Sequence, residues 1–519
     1  RRQRQMCIRD RNIYVERVRA NVKRQALYCD MLGSARWVGE LAQRYPAREI
    51  TPLTPWFANI SIHDVEITGC STLVDVSALP EKPVKNFFFG NVKAHCDRIG
   101  KICDATKFSM KDVRIESCDT VMRIDNCDYA SFFGFSNVTT GSSVKIEKTG
   151  GECRYLNVQT YPLVPVNYQS IRPGEVWLDT EGKPIQAHGF QVTFREGKYY
   201  WYGEDKTHTL FGTNRMFGGV RCYSSTDFYN WKDEGRIIEP ATDPHSPLHH
   251  CQKLERPHIL YCAKTGRYVC WLKSQSNDGH FVILEAEHFM GPYHFVRNLK
   301  PNGFAVGDFD MYADPDTGKG YVWFERPHWE QICAELSDDY TNVNGRDSEH
   351  FVGKVPPFTR EAAAHFVMDG KHYIYTSGTT SYTPNPSEVA VFDDYHGEYT
   401  VLGNPHIGDE YAHSFCSQIT SVIKIPGKDL YVAMADRWLP HTNKTDIPKK
   451  DWQSFLTRYK DHRPYPKDFA TPKVADRFYT LVNPNQDVYK ATYVFLPIVV
   501  KDGIPMIEWK DEWKLENYE

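Results

Sequence analysis

Apolar and polar residues alternate over short segments in the first third of the chain, and these segments recur at a regular distance. Five of them end in valine: NIYVERV at Val18, NISIHDV at Val65, NFFFGNV at Val92, FSMKDV at Val113 and FFGFSNV at Val138. Their separations are 47, 27, 21 and 25 residues, and the first is about two of the others. Strand segments repeating at this distance without a helical period predict a solenoid with apolar side chains stacked inside. We therefore expect residues 1–165 to form a partial right-handed parallel β-helix.

A second pattern, a glycine turn followed by an aromatic strand, recurs in the rest of the chain. Its five copies are GKYYWYGE at Gly197, GRYVCWLK at Gly266, GKGYVWFE at Gly318, GKHYIYTSG at Gly370 and GKDLYVAM at Gly427. The spacings are 69, 52, 52 and 57 residues. Each copy is typical of the hairpin between two strands of a propeller blade. The sequence therefore predicts an all-β protein in which residues 166–519 form a five-bladed β-propeller.

A segment near residues 439–490 interrupts this second pattern. It is rich in Lys, Asp and Pro and lies between the tripeptide DRW and the late strand ATYVFLPIVV. Long loops inside a compact domain are often functional, so a lid or rim element and a plain surface insertion are equally good interpretations.

Composition and charge narrow the classes of partner. The net charge of −4 and pI near 6.6 give no basic surface for nucleic acid. No run of 18 or more apolar residues predicts a membrane span. The 14 cysteines form no CxxC pair and no Cys/His metal spacing, so buried free thiols are expected, and neither a metal nor a cofactor is predicted. No apolar segment follows Arg1–Arg11, so we expect the chain to start inside a longer protein, and no oligomeric state is predicted.

A propeller gathers the first residues of its inner strands around one axial funnel. Polar residues at such positions are Gln186, His188, Glu204, Glu255, Asp308, Asp310, Glu361, His413, Ser414 and Gln418. Inverting glycoside hydrolysis would need a carboxylic acid and a second group about 6.5 to 9.5 Å away. Glu361, which precedes the small residues AAAHF, is the best acid, and a nearby Asp310 would hold its pKa up. A surface glutamate and a turn aspartate are the alternative interpretations of these two residues.

Three segments of the first region carry a resemblance to a known family. ALYCDM, TPWFANISIHDVEITGC and LPEKPVKNFFFGNV resemble the C-terminal coils of family 28 glycoside hydrolases, the polygalacturonase group. The catalytic aspartate and histidine motifs of that family are absent from this sequence. The resemblance implies a non-catalytic remnant of a β-helix.

The second region resembles another family. The segments that carry the resemblance are IQAHG, YYWYGEDKT, CYSSTDFYNW, ERPHIL, DMYADPDTGKGYVWF, REAAAHF, YTSGTT, SQITSV and IEWKDEWKL. They are similar to family 43 glycoside hydrolases, and most to the exo-β-1,3-galactanase branch. The resemblance implies an inverting exo-acting enzyme that releases galactose from β-1,3-linked galactan of the arabinogalactan type. It also implies that Glu361 is the general acid and Asp310 its pKa-modulating partner.

The same resemblance implies which residue acts on the attacking water molecule. The first inner strand, IQAHGFQV, has no aspartate where much of family 43 has its base. In the galactanase branch a glutamine takes this task, and Gln418 matches it. An amide can orient water or act through its imidic-acid tautomer, and both remain open. The resemblance further implies that Glu255 binds a galactose hydroxyl and that other residues line the pocket: Glu204, Gln186, His188, Thr380 and Asn385.

Two other functions fit the same propeller. The first is an α-L-arabinofuranosidase, because family 43 handles both sugars. The second is a galactan-binding propeller without catalysis, suggested by the missing carboxylate in the first blade. A polymeric plant-glycan substrate would place the protein outside the cytoplasm, secreted or in the periplasm.

Overall fold

The computed structural model describes most of the chain as two compact units, one before residue 161 and one from residue 166 onwards. The described residues are 9–438 and 488–519, with gaps at 53, 155, 161–165, 208, 210–216, 276–278, 355–357, 381, 383 and 411. Residues 439–487 of the predicted lid or insertion therefore lie outside the described residues.

The first unit is a sheet of strands with almost no helix. In its described residues, the strands are β1 (Arg9–Asn21), β2 (Gln25–Asp30), β3 (Trp56–Ser77), β4 (Val84–Glu116), β5 (Val121–Asp128), β6 (Ser131–Asn137), β7 (Ser142–Ser143), β8 (Lys145–Lys148) and β9 (Asn157–Gln159). A short helix, α1 (Ala35–Val38), and a 3₁₀ turn (Gly39–Ala42) lie between β2 and β3. Apart from the antiparallel β6–β7 pair, the strand pairs of this sheet are parallel.

The valine repeat predicts how these strands pair. Val18 lies directly opposite Val65, and Val65 lies opposite Val92 in the next strand. The 47 residues from Val18 to Val65 are therefore one step between paired strands and not two, because the segment between β2 and β3, which includes α1, lengthens this step. The buried side chains of these strands form one apolar core that also contains Val113. Asparagines stack in the same direction, because Asn86 donates to Asn59 at 2.9 Å and Asn59 donates to Asn12 at 3.0 Å. Apolar and amide side chains thus repeat in register along this sheet.

The second unit is a five-bladed β-propeller, as the glycine repeat predicts. The first four blades are antiparallel sheets of four strands: β10–β13 (His188–Arg195, Lys198–Glu204, Val220–Ser225, Lys232–Ile238), β14–β17 (Leu254–Cys262, Arg267–Ser274, His280–Ala286, His294–Leu299), β18–β21 (Phe309–Ala313, Gly320–Glu325, Gln331–Leu336, Val343–His350) and β22–β25 (Arg360–Met368, Lys371–Gly378, Glu388–Phe392, Thr400–Gly403). The fifth blade comprises β26 (His406–Ile407), β27 (Gln418–Lys424), β28 (Tyr431–Arg437), β29 (Thr492–Lys501) and β30 (Ile504–Glu508). Further 3₁₀ turns are Pro301–Gly303, Ser414–Cys416, Val488–Lys490 and Leu515–Asn517.

The inner strands close into a ring. Strand β10 contacts both β14 and β27, and β14, β18, β22 and β27 contact one another in that order. All five predicted turn glycines lie in the first hairpin of a blade with φ between 69° and 79°, a backbone conformation that glycine adopts without strain. The repeat in the sequence therefore corresponds to one hairpin per blade.

The fifth blade joins the two ends of the propeller. Strand β29 pairs with β28, and β30 pairs with the short strand β26, which precedes the inner strand of this blade. The backbone of Trp513 exchanges two hydrogen bonds with Ile171 before the first blade, at 2.8 and 3.0 Å. Trp177, Trp201 and Phe495 pack edge to face across this closure. Aromatic packing and backbone pairing thus seal the ring.

Two sequence expectations about the whole chain concern thiols and membranes. Every cysteine in the described part of the chain is a free thiol, and most are buried, as predicted. Among the described residues, no helix combines the length and apolar character that crossing a bilayer requires.

Candidate active site

A pocket of ≈ 110 Å³ lies where the inner strands begin, and every blade contributes to it. Its lining residues are Glu204, Lys206, Lys253, Glu255, Arg256, Lys273, Gln275, Asp308, Glu361, Tyr382, Gln418 and Trp438. Four of the predicted site residues, Glu204, Glu255, Glu361 and Gln418, therefore come together in one place. Eight of the twelve lining residues carry an ionisable carboxyl, ammonium or guanidinium group, so electrostatics dominates this pocket.

A bulge at the start of three inner strands turns these side chains toward the pocket. The strand register shifts just after His188, Glu255 and Glu361. The next residue in each case has a left-handed backbone: Gly189 at 52°, Arg256 at 52° and Ala362 at 50°. Bulges of this kind re-aim a side chain and are common beside active sites. A non-glycine residue is strained in this conformation, so Arg256 and Ala362 are held there by their surroundings.

Glu361 is half-buried at the start of β22. Burial raises its pKa well above the ordinary value, and the negative charges of Asp308 and Glu325 raise it further. Lys273 and Arg256 act in the opposite direction but do not reverse the shift. The raised pKa therefore favours the neutral, protonated form of Glu361, which is the form that a general acid needs before it acts.

Gln418 lies beside Glu361 and is hydrogen-bonded on both ends of its amide. Its Nε2 donates to Ser377 Oγ at 2.9 Å and to Glu361 Oε1 at 3.3 Å. Its Oε1 accepts from Arg256 at 2.7 Å and from the Trp438 indole at 3.1 Å. The predicted acid and the predicted water-handling residue are thus direct neighbours.

Asp308 is the carboxylate that the third blade contributes to the pocket lining. Arg256 lies 2.7 Å from its Oδ2 and Lys273 lies 2.7 Å from its Oδ1. Burial alone would raise the pKa of Asp308, but these two cations hold it below the ordinary value. Asp308 is therefore an ionised carboxylate facing the protonated Glu361.

Glu255 and Glu204 form the wall contributed by the first two blades. Lys273 lies 2.6 Å from Glu255, and Lys273 and Lys253 hold the pKa of Glu255 well below its ordinary value despite burial. Glu204 pairs with Lys206 at 2.5 Å, yet burial and the charge of Glu255 raise its pKa. These two carboxylates are the acceptors best placed to bind sugar hydroxyls.

The structure places Asp310 away from the lining residues, two positions beyond Asp308. Its Oδ1 lies 3.0 Å from His258 Nδ1, and its Oδ2 accepts from the backbone of His365 at 2.6 Å. Asp310 therefore ties three neighbouring inner strands together. Asp308 is a lining residue whose charge raises the pKa of Glu361, while the role of pKa-modulating partner that the resemblance implied for Asp310 stays a prediction.

Gln186 and His188 are also buried outside the pocket lining. His188 pairs with Asp436 at 2.9 Å, and its ring stacks on Tyr493 with the centroids 5.1 Å apart. The backbone N–H of Gln186 donates to the hydroxyl of Tyr223 at 3.0 Å. Both residues help to join the first blade to its surroundings.

Asn385 shapes the loop that carries Tyr382 to the pocket. Its Oδ1 accepts from Gly378 at 2.7 Å, and its Nδ2 donates to Gly378 at 2.9 Å and to Thr380 at 2.6 Å. Thr380 and Asn385 thus bond to each other and to the end of β23 instead of lining the pocket.

Sequence reasoning missed the cations of the site. Lys273 lies in the apolar strand VCWLK and Arg256 in ERPHIL, and both are almost fully buried. A charged residue inside an apolar strand is almost always paired when buried, which was the available signal.

Two groups of described side chains have atoms close enough to hold a metal ion. They are His249, His250 and Cys251, and Glu16, His63 and Asp64. Neither group contains a lining residue of the pocket.

Comparison with known proteins connects the propeller to glycoside hydrolases. The family model described as "Glycosyl hydrolases family 43" matches residues 190–421, a span that includes Glu204, Glu255, Glu361 and Gln418. No curated protein matches the chain.

Solved structures resemble the chain over about two thirds of its length. A family 43 β-1,3-galactosidase has a TM-score of 0.55 and 27% identity, covering 68% of this chain and 65% of its own. A second family 43 β-1,3-galactosidase, solved with galactodeoxynojirimycin, has a TM-score of 0.54 and 27% identity, and the match covers 66% of this chain and 100% of that protein. An exo-β-1,3-galactanase from Phanerochaete chrysosporium with β-1,3-galactotriose has a TM-score of 0.53 and 22% identity, and the match covers 67% of this chain and 68% of that protein. At this identity the match shows a shared fold alone. The propeller is therefore similar in sequence and fold to family 43 glycoside hydrolases, and the chain spans slightly less than two thirds of the first of these structures.

Proposed function

We propose that this chain is an inverting, exo-acting glycoside hydrolase that releases galactose from β-1,3-linked galactan of the arabinogalactan type. The observation that carries the proposal is the placement of Glu361, a carboxyl group whose pKa is raised, beside Gln418 in a pocket to which all five blades contribute. A pocket of ≈ 110 Å³ built of charged groups suits one terminal sugar better than a long chain, which supports exo action. The 27% identical β-1,3-galactosidases support the choice of sugar and linkage.

In this mechanism Glu361 gives its proton to the leaving glycosidic oxygen as the bond to the anomeric carbon breaks. A water molecule attacks the opposite face of that carbon, with Gln418 positioning it. The proton lost by the water passes to a carboxylate that the pocket keeps ionised, for which Asp308 and Glu255 are the candidates. Proton transfer and water suffice for this reaction.

The contact between Glu361 and Gln418 must open for this reaction. Groups that act on opposite faces of a sugar stand about 6.5 to 9.5 Å apart, whereas Gln418 Nε2 lies 3.3 Å from Glu361 Oε1. We infer that the terminal sugar separates the pair, which frees one amide N–H of Gln418 for the water oxygen.

Sugar recognition falls to the two glutamates in the wall of the pocket, Glu255 and Glu204. Glu255 is held by Lys273 at 2.6 Å and Gln275 at 3.0 Å, so its position is fixed before a sugar arrives. Glu204 is fixed by Lys206 and by the backbone N–H of Arg256 at 3.0 Å. Fixed acceptors lose little conformational entropy on binding a hydroxyl.

The first unit extends the proposal beyond the propeller. Parallel pairing, coils of 27 residues from Val65 to Val92 and stacked asparagines all support a partial β-helix of the family 28 type without its catalytic residues. Because the substrate is a plant polysaccharide, we further propose that the protein acts outside the cytoplasm, secreted or in the periplasm.

The experiment is hydrolysis of β-1,3-galactobiose and β-1,3-galactan by the wild type, Glu361→Gln and a control, Glu349→Gln, which changes an exposed carboxylate of the third blade. We expect galactose as the product, its α-anomer to appear first by NMR, and loss of release only in Glu361→Gln. Unchanged release by Glu361→Gln would exclude this residue as the acid. Faster cleavage of nitrophenyl α-L-arabinofuranoside than of the β-galactoside would favour the arabinofuranosidase, and galactan binding without any product would favour a non-catalytic propeller.

A further inference from the structure

The amide of Gln418 has a hydrogen-bonding partner at every site that its two ends offer. Two donors, Arg256 and Trp438, reach its oxygen, and its nitrogen donates to Ser377 and Glu361. An amide oxygen accepts about two hydrogen bonds and an amide nitrogen donates two. The residue is therefore saturated in this arrangement.

The chemistry of the partners decides which end of the amide faces which side. A guanidinium and an indole N–H can only donate hydrogen bonds. If the amide were turned over, its NH₂ group would face both of these donors and repel them. The oxygen must therefore face Arg256 and Trp438, and the N–H groups must face Glu361 and Ser377.

The same partners bear on the tautomer of Gln418. In the imidic acid the oxygen carries a proton and must donate it, while the nitrogen becomes able to accept a proton. Arg256 and Trp438 offer no acceptor for such an O–H group, and its oxygen could keep at most one of the two hydrogen bonds that these donors now make, so this tautomer is disfavoured here. We propose that Arg256 is a positioning residue that holds Gln418 in its ordinary amide form, so that Gln418 serves hydrolysis as a hydrogen-bond donor and not as a proton acceptor. This inference deepens the proposed function and rests on it.

Arg256 is itself held firmly enough for this task. Its guanidinium contacts Asp308 at 2.7 Å and the Thr420 hydroxyl at 3.4 Å, and its side chain is 7% exposed. Its backbone N–H donates to Glu204, and its left-handed φ of 52° fixes the direction of the side chain. The guanidinium thus joins Gln418 to the ionised Asp308.

The orientation of Gln418 also assigns the proton of Glu361. Oε1 of Glu361 accepts from Gln418 at 3.3 Å, and a carboxylic acid accepts better through its C=O oxygen than through its O–H oxygen, so this contact favours the acidic proton on Oε2. The charged groups acting on Glu361 are Asp308, Glu325, Lys273 and Arg256. Gln418 therefore orders the acid until the sugar enters, and its released N–H then meets the water.

Replacing Gln418 by glutamate distinguishes a hydrogen-bond donor from a proton acceptor at this position. A glutamate accepts protons better than an amide but has no N–H to donate. If Gln418 is a donor, we expect Gln418→Glu to lower kcat on β-1,3-galactobiose by about 10²-fold or more. Retained or increased kcat in Gln418→Glu would overturn the proposal.

Replacing Arg256 tests the positioning. We expect Arg256→Met to lower kcat by about 10²-fold with a smaller change in KM, because the amide loses its orientation. In Arg256→Lys, kcat should fall between these values. Nη2 of Arg256 contacts both Gln418 and Asp308 while Nη1 contacts the Thr420 hydroxyl, and the single ammonium of lysine cannot reach all three partners. The matched control is Arg236→Met, which removes a partly buried arginine that lies 3.0 Å from Asp205 and outside the pocket lining.

A second measurement does not depend on activity. In the full chain labelled with ¹⁵N in glutamine side chains, the Gln418 signal is the one absent from Gln418→Asn. We expect this signal to show two protons on the nitrogen with and without galactose. Its chemical shift should be unchanged in Arg236→Met and displaced in Arg256→Met. A single proton on that nitrogen would overturn the proposal, as would an unaltered signal in Arg256→Met. If the wild type cleaves no galactoside, the proposed function fails while this spectrum still tests the orientation.

Discussion

Lys273 and Asp308 form an ion pair in the pocket wall, with Nζ 2.7 Å from Oδ1 and the two side chains 7% and 11% exposed. The same ammonium also lies 2.6 Å from Glu255. One cation therefore compensates two carboxylates that belong to different blades.

Removal of this cation should destabilise the propeller strongly. Lys273→Met leaves two buried negative charges short of a partner, and we expect the free energy of unfolding to fall by about 3–5 kcal/mol. Urea denaturation is the measurement. Lys319→Met is the control, because Lys319 is half exposed and pairs with Glu335 at 3.0 Å. In this variant the free energy of unfolding should fall by no more than about 1 kcal/mol. Equal losses in the two variants would contradict this account of the pocket wall.

The pH dependence of stability should report Glu325. Burial and the charge of Asp308 raise the pKa of Glu325 from its ordinary value of 4.5 to about 7. A raised pKa means that this carboxyl contributes its full stability below about pH 4.5 and loses it as the pH rises through about 7. Between these limits the wild type should lose a few kcal/mol relative to Glu325→Gln, measured by denaturation at several pH values. Glu349→Gln should follow the wild type, and parallel curves for all three proteins would contradict the assignment.

Gly189 should tolerate no side chain. Its φ is 52°, and a Cβ built on it would lie 2.5 Å from Oε1 of Glu204. Gly189→Ala should therefore destabilise the fold and also raise KM by displacing Glu204. Gly197→Ala is the matched control, since φ is 79° there but a Cβ meets nothing within 4 Å. The control should lose about 1–2 kcal/mol from backbone strain alone, with KM unchanged. A shift in KM of the same size in both variants would show that Glu204 is not the cause.

The propeller could be predicted because its hairpins leave a trace in local sequence. A glycine turn before an aromatic strand is needed in each blade, so Gly197 and its four counterparts mark the blades directly. The register of the first unit could be predicted in part, since Val65 and Val92 are one coil apart, but the longer step from Val18 to Val65 suggested two coils where the structure has one. Both signals come from a backbone requirement repeated along the chain.

The site was harder to predict, because the direction in which a side chain points, and not its position in the sequence, decides whether the side chain lines the pocket. Asp308 and Asp310 lie on one short stretch, and only the point at which β18 begins determines which of them lines the pocket. The bulges after Glu255 and Glu361 are likewise invisible, because Arg256 and Ala362 are not residues that favour a left-handed backbone. The cations Arg256 and Lys273 carry no motif and become meaningful only once their partners from other blades are known.

The pairing of Ile171 with Trp513 also sets a constraint on how the molecule folds. These residues are about 340 positions apart, so their meeting carries a large loop-closure entropy and depends on blades already formed between them. The closure is therefore expected to come late in folding. In the native protein the same seam is the place where the ring can open without breaking a blade. Its aromatic packing around Trp177 and Phe495 thus governs how long the assembled ring survives, while the pocket governs what it does.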